Sequence, residues 1–348
     1  MHAKKSASRP IIGVTLGDVN GIGPEVVAKA LSAARARRSC IPVVFGSAEI
    51  IAAELKRVGS ALTPTRVEEV SEVLRLPRTR LGVYDTGVFK PGRRALGKVR
   101  ASAGRAALRW IEQAVTAAQR GELNGICTAP IHKEAIHRAG SPFQGHTELL
   151  AHLTGTKEYR MLLVSGALRA IHLSTHYPLR EAIRMVTRAR VYSTILLAVR
   201  ALGELGLGSG RLAVAGLNPH AGEGGLFGDE EIKVIRPAIV QAKRSLGGRG
   251  VEIHGPEPPD TVFNRMARGE FDMVVAMYHD QGFIPLKTVG FERGVDVTVG
   301  LPIVRTSPAH GTAFGIAGRG VADPRAMLEA LCLAATLARN RSRPPART

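Results

Sequence analysis

Short apolar runs alternate along the chain with longer stretches whose apolar residues recur at helical spacing. Ile11–Leu16 reads as a strand. Pro24–Ala34 reads as a helix, with proline in its first turn and Val26, Val27, Ala30 and Leu31 on one side. Val43–Phe45 is a second strand, followed by an amphipathic Ala48–Arg57. Ala101–Arg120 is a long helical segment, and Gly125–Thr128 is a strand closed by Pro130. The later half repeats the alternation: strands at Met161–Val164 and Ala170–Thr175, a helix at Val191–Leu205, a strand at Leu212–Leu217 and a helix at Glu230–Ser245. Strands follow at Val251–Ile253, Met273–Tyr278 and Val295–Val299. This pattern predicts an α/β protein with a mostly parallel sheet in each half. Ligands of such sheets sit beyond the carboxyl ends of the strands, so the polar residues that follow each strand carry the functional question.

Composition narrows the class. The chain has 348 residues, 45% hydrophobic and 22% charged, enough apolar material for two domains and too much for a disordered chain. Cys40, Cys127 and Cys332 are sparse and scattered, with no zinc-finger spacing, which points to a reducing compartment. No apolar run reaches membrane-spanning length and no secretory leader is evident, so the expectation is a cytoplasmic protein without a membrane partner. The formal net charge is +19, partly from basic tails: Lys4, Lys5 and Arg9 in front, and Arg339, Arg341, Arg343 and Arg347 behind, all expected to fray. Aromatic residues are only 4%, and no nucleic-acid motif accompanies the charge. A site for small anionic substrates is the better use of it.

Three histidines stand beyond three of the strands: His176 in Ser174-Thr175-His176-Tyr177-Pro178, His220 in Asn218-Pro219-His220-Ala221-Gly222, and His279 in Tyr278-His279-Asp280-Gln281-Gly282. Each alone reads more readily as a hydrogen-bonded structural residue than as a ligand. Together they suit a borderline-soft divalent ion, three imidazoles leaving a position open for catalysis. Lys287 and Arg305 follow, able to neutralise a phosphate or carboxylate. Three glycine-bearing turns complete the set: Gly17–Glu25, Ala221–Gly225 and His310–Gly318. The first lacks the G-x-G-x-x-G order of a dinucleotide fingerprint, and a purely structural turn remains an alternative there. The third has small residues on which a flat ligand could lie.

Long motifs in order carry a resemblance over about 11–328. They are Gly17–Glu25, Thr128-Ala129-Pro130-Ile131-His132-Lys133-Glu134, Gly145-His146-Thr147-Glu148, Thr175–Glu181, Gly216–Glu223, Met277–Lys287 and Arg305–Phe314. The sequence resembles the 4-hydroxythreonine-4-phosphate dehydrogenases of vitamin B6 biosynthesis. The resemblance implies a homodimer of subunits with two α/β/α domains and a cleft between them, similar to isocitrate and isopropylmalate dehydrogenases. The first domain would span 10–135 plus 300–340, and the second, with the metal ligands and dimer interface, 136–299, between basic tails at 1–9 and 341–348. It further implies NAD or NADP as cofactor and one divalent ion (zinc, magnesium or cobalt) held by His176 and His220 of one subunit and His279 of the other. His146 and Thr147 match substrate contacts, as do Lys287, Asp296 and Arg305. Asp260 matches an acidic contact from the partner, grouped with Lys287 as catalytic. His310, Gly311, Thr312, Ala313 and Gly318 match the cofactor turn.

The implied reaction oxidises 4-phosphohydroxy-L-threonine to 2-amino-3-oxo-4-phosphooxybutanoate, which loses CO₂ to give 3-amino-2-oxopropyl phosphate. A metal-bound water, Lys133 or Lys287 would take the hydroxyl proton. Five positions depart from the family pattern. Asp296 stands for an asparagine, and a carboxylate only accepts where an amide donates to phosphate. Gly315 replaces an aspartate of the cofactor turn, His132 replaces an asparagine, and Asp18-Val19-Asn20 stands for Asp-Pro-Ala, expected to be a harmless turn variant. Asp296 keeps a paralogous dehydrogenase of phospho-threonate, phospho-erythronate or a diol dicarboxylate in view, and Gly315 leaves the cofactor open between NAD and NADP. A metal-dependent hydrolase on the same histidines is the alternative of a different class.

Overall fold

The computed structural model describes residues 9–247 and 250–342, so Lys4, Lys5, Arg343 and Arg347 lie outside the described residues. The chain divides into two compact units, 1–155 with 301–348, and 156–300. In chain order the first unit contributes strands β1 (Ile11–Thr15), β2 (Ile41–Phe45), β3 (Thr63–Val67), β4 (Arg80–Tyr84) and β5 (Gly125–Thr128). The second contributes β6 (Arg160–Ser165), β7 (Leu168–His172), β8 (Arg211–Ala215), β9 (Glu252–Glu257), β10 (Met273–Ala276) and β11 (Val295–Val299), after which β12 (Arg305–Pro308) returns to the first.

In the first unit the strands run in the order β3-β4-β2-β1-β5-β12, every pair parallel. β5 is buried at all four positions, as expected for a strand covered on both faces. Helix Ala101–Gln119 packs on β1 and β2 with Trp110 fully buried. A Cβ at Gly104 of this helix would lie 2.1 Å from the Ala135 carbonyl oxygen, so glycine there lets Lys133–Arg138 come close. That packing, with His146–Leu153 also against Ala101–Gln119, keeps 136–155 in the first unit, whereas the expected boundary had given them to the second.

The second unit has the order β11-β6-β7-β10-β8-β9. β7, β10, β8 and β9 are parallel, while β6 runs antiparallel to β7 and to β11. Helix Arg188–Glu204 packs on β7, β10 and β8, and helix His279–Gly290 on β6, β7 and β10.

The α/β expectation holds in both units. Three strands had no expectation, for reasons visible in their sequences. β3 and β4 are short and carry Pro64, Arg66 and Arg80, and β12 is the four residues Arg-Thr-Ser-Pro. The helix expected over Pro24–Ala34 ends at Ser32, and Ala33 is extended before a second helix at Ala34–Ser39. The expected fraying does not extend to the described basic residues at the ends. Arg9 Nη1 donates to the Arg37 carbonyl (2.5 Å), Arg339 Nη1 donates to the Ser39 carbonyl (2.9 Å), and Arg341 closes helix Arg325–Arg341. All three cysteines are buried and free, and burial pushes the Cys40 and Cys127 thiols up to about 12. Among the described residues no helix is long and apolar enough to cross a membrane.

Candidate functional site

The three strand-end histidines follow three neighbouring strands, because β10 lies between β7 and β8. β7 ends at His172, so His176 stands four residues beyond it, not directly after the strand as expected. The intervening residues are tied to the end of β10: Leu173 N donates to the Ala276 carbonyl (2.8 Å) and Ser174 Oγ to the Met277 carbonyl (3.1 Å). The His176 and His279 rings lie 5.9 Å apart, His176 exposed and His279 half-buried. His279 Nδ1 is 2.6 Å from Asp280 Oδ1, which leaves Nε2 to face a ligand. Gln281 ties two strand ends together: its Nε2 donates to the Gly216 carbonyl (2.8 Å) and its Oε1 accepts from Met277 N (2.7 Å).

His220 sits in an unusual backbone. His220, Ala221 and Glu223 all have positive φ (52°, 56° and 42°), interleaved with Gly222 and Gly224. Non-glycine residues pay about 1–2 kcal/mol each for this conformation. A buried carboxylate fixes the segment that enters the turn. Glu231 Oε1 accepts from Leu217 N (2.7 Å) and Asn218 N (2.8 Å), and Oε2 from Asn218 Nδ2 (2.9 Å). His220 Nδ1 lies 3.5 Å from Asp260 Oδ2 in the same chain. The sequence reading did not single out Glu231; its only signal was a glutamate fourteen positions after Leu217, too remote to read.

His172 was also missed. It is fully buried on β7, with Nδ1 3.2 Å from the Met161 carbonyl, and burial drives its imidazole down to about 3, so it is neutral. Lys287 and Asp296 belong to this unit too, Lys287 on helix His279–Gly290 and Asp296 half-buried on β11.

The first unit gathers its own cluster around the carboxyl end of β5 and the first residue of β12. Buried Arg305 donates from Nη2 (2.9 Å) and Nε (3.3 Å) to Thr128 Oγ1. His146 starts helix His146–Leu153, and burial, helped by the Arg305 charge, holds its imidazole well below the usual histidine range. Its Nε2 is buried with no hydrogen-bond partner. Thr147 is buried beside it. At the end of β1, Asp18 is fully buried; one oxygen accepts from Asn20 N (2.8 Å), the other has no partner, and burial raises its pKa.

The Gly17–Glu25 and 310–318 turns form one construction. Ile22 N donates to the Thr312 carbonyl (3.0 Å), and a Cβ at Gly21 would lie 2.7 Å from that oxygen. Asn20, expected to be a neutral variant, is a buried pin: Oδ1 accepts from Ala95 N (2.8 Å) and Nδ2 donates to the Lys98 carbonyl (2.9 Å). His132 stacks on Phe314 at 4.5 Å. Ala313 has φ 41° and Gly318 φ 78°, while a Cβ at Gly311 or Gly315 would meet nothing within 4 Å.

These residues fit the groups the resemblance implies. Three imidazoles at adjacent strand ends, two of them beside carboxylates, are a donor set for a divalent ion. Among the described residues of one chain, no three His, Cys, Asp or Glu converge to hold an ion. The open glycines of the 310–318 turn leave its backbone accessible to a flat ligand, and His310 Nε2 is buried without a partner.

This architecture is that of the open-sheet α/β class, whose ligands sit beyond the carboxyl ends of the strands. Residues 38–334 match the family model of the pyridoxal phosphate biosynthetic protein PdxA. The chain is 47% identical to a D-threonate 4-phosphate dehydrogenase of Cupriavidus necator, over 96% of this chain and 98% of that one. It is 42% identical to a 4-hydroxythreonine-4-phosphate dehydrogenase of Desulfosudis oleivorans, over 94% and 95%. The solved structure of a 4-hydroxythreonine-4-phosphate dehydrogenase from Burkholderia phymatum superposes with a TM-score of 0.81 at 46% identity, over 94% and 98%. The chain belongs to the PdxA family and is a dehydrogenase, as the motif resemblance had indicated.

Proposed function

We propose that the protein oxidises the secondary alcohol of a 4-phosphorylated four-carbon hydroxy acid with NAD or NADP, and that its substrate is D-threonate 4-phosphate. The observation that carries the chemistry is the placing of His176, His279 and His220 beyond three neighbouring strands. Support for the substrate comes from the 47% identical relative and from Asp296, a carboxylate where the family has an asparagine. The second reading, 4-phosphohydroxy-L-threonine, rests on the motif resemblance and on the names of the other two relatives. The two substrates differ at C2, hydroxyl in one and ammonium in the other.

His176 and His220, with His279 of a second copy in a homodimer, would hold the divalent ion, so the reading does not need three rings of one chain to converge. When bound, such an ion supplies Lewis acidity at the substrate hydroxyl. Arg305 meets an anionic group of the substrate with its planar fork, oriented by Thr128. Neutral His146 hydrogen-bonds the substrate without adding charge, beside Thr147. Lys133, as the neutral amine, takes the hydroxyl proton, Lys287 meets the substrate as an ammonium, and Asp296 accepts from a substrate hydroxyl. His310, Gly311, Thr312, Ala313 and Gly318 seat the nicotinamide cofactor, which accepts hydride from C3. The resulting acid carries its carboxylate β to the new carbonyl, so loss of CO₂ leaves a delocalised enolate. Protonation of that enolate gives dihydroxyacetone phosphate.

NADH or NADPH formation by the zinc-loaded protein tests this. D-threonate 4-phosphate should exceed 4-phosphohydroxy-L-threonine in kcat/KM by about tenfold or more, the discrimination one polar substituent supports. The reverse preference would move the assignment to the second reading. Consumption of substrate with no nicotinamide present would instead mark a hydrolase.

A further inference from the structure

We infer that Phe283 is a positioning residue whose single ring sets both His279 and Lys287. His279, Phe283 and Lys287 are four residues apart on helix His279–Gly290, so they share one face. The Phe283 and His279 rings are stacked, 3.9 Å between centroids and 7° from parallel. Lys287 Nζ lies 5.2 Å from the centroid of the same Phe283 ring, within cation–π reach. Phe283 is in turn backed by β7. It is 6% exposed, and the His172 ring lies 4.7 Å away at a tilt of 41°. Gly282 makes that backing possible, since a Cβ there would lie 2.4 Å from His172 Nε2.

The consequence is a pre-set imidazole and a pre-set ammonium. Asp280 takes Nδ1 of His279, and the stack on Phe283 fixes the plane of the ring, so Nε2 has one direction before any ligand arrives. Ordering that ring and a rotamer-rich lysine in advance spares the binding step their entropy. Leucine would fill most of the space but offers neither a plane to stack on nor a π-face for a cation. A phenylalanine serving only as core would lose stability on that change and nothing else.

The inference rests on the proposed reading of His279 as a metal ligand and Lys287 as a substrate residue, and the test separates the two. Zinc affinity is measured on the full-length protein by competition with a chromogenic chelator, alongside KM, kcat and thermal midpoint. Phe283→Leu should weaken zinc about tenfold or more, the scale for losing support behind a metal ligand. It should also raise KM for the phosphorylated substrate. Phe283→Tyr should restore both. Phe271→Leu, at a buried phenylalanine of the same unit, should lower the midpoint but leave zinc affinity unchanged. If the leucine variant does not fold, Phe283→Met carries the same expectations. Wild-type zinc affinity and KM in the folded leucine or methionine variant would overturn the inference. If His279→Ala loses zinc while that variant keeps it, only the role of Phe283 falls. If His279→Ala itself binds zinc as tightly as wild type, the ligand reading falls and the inference with it.

Discussion

The strand ends of the two units handle polarity in opposite ways. In the first unit the chemistry is buried: Arg305 donates to Thr128, His146 is held neutral, and Asn20 stitches a loop in place. In the second unit His176 and His220 are exposed, and His220 rides on a left-handed run of backbone anchored through Glu231. Buried donors suit a ligand whose charge must be met in low dielectric. Exposed imidazoles, with Asp260 beside His220, suit an ion whose remaining partners come from outside the unit. A buried cluster should therefore respond to substitution through substrate affinity and stability, and an exposed one through metal affinity with little cost to folding.

The sharpest break in this comparison is His220→Ala. It should reduce zinc affinity by about 100-fold or more and remove activity, while urea unfolding and the mass in solution stay at wild-type values. Loss of folding instead would make His220 a structural residue. Next is Arg305→Leu, which should raise KM by about 10- to 100-fold, the loss of one or two charge-assisted hydrogen bonds. Arg305→Lys should not restore it, because an ammonium lacks the planar fork. Zinc content should be unchanged in both, as read by atomic absorption.

How much of this could be read beforehand follows from sequence distance. The three histidines each follow an apolar run by a few residues, so local pattern exposed them, and the helices at Ala48–Arg57 and Ala101–Gln119 announced themselves by periodicity. Glu231 and His172 did not. Their roles come from neighbours that the fold alone supplies: Leu217 and Asn218 for the one, Met161 and Phe283 for the other. Asn20 looked like a neutral turn residue because its partners, Ala95 and Lys98, lie some seventy-five positions away. β12 was silent for a different reason: its arginine, threonine and serine are buried by function and packing, not by hydrophobicity.

Two smaller effects sharpen the contrast. Glu231→Gln keeps the shape but loses the charge that gathers Leu217 N and Asn218 N, and should cost about 1–3 kcal/mol in urea titration. It should weaken zinc only through His220. The pH dependence of folding should carry the signature of the buried histidines. His146 and His172 have folded pKa values below the unfolded value near 6.5, so the unfolded chain takes up their protons first as pH falls. Their stabilisation is complete above about pH 6.5 and declines below it by up to about 1.4 kcal/mol per pH unit for each histidine. For His172 the decline runs until about pH 3. His172→Phe should flatten that slope, read as urea midpoints between neutral and acid pH.

The central claim is that His176, His220 and His279 serve one ion. It is tested most directly by anomalous diffraction at the zinc edge from crystals grown with zinc. The account predicts one strong peak per subunit, with the three imidazole nitrogens each about 2.0–2.1 Å from it. A peak on other residues, or these three rings too far apart to share a single ion in crystals soaked with the metal, would contradict it.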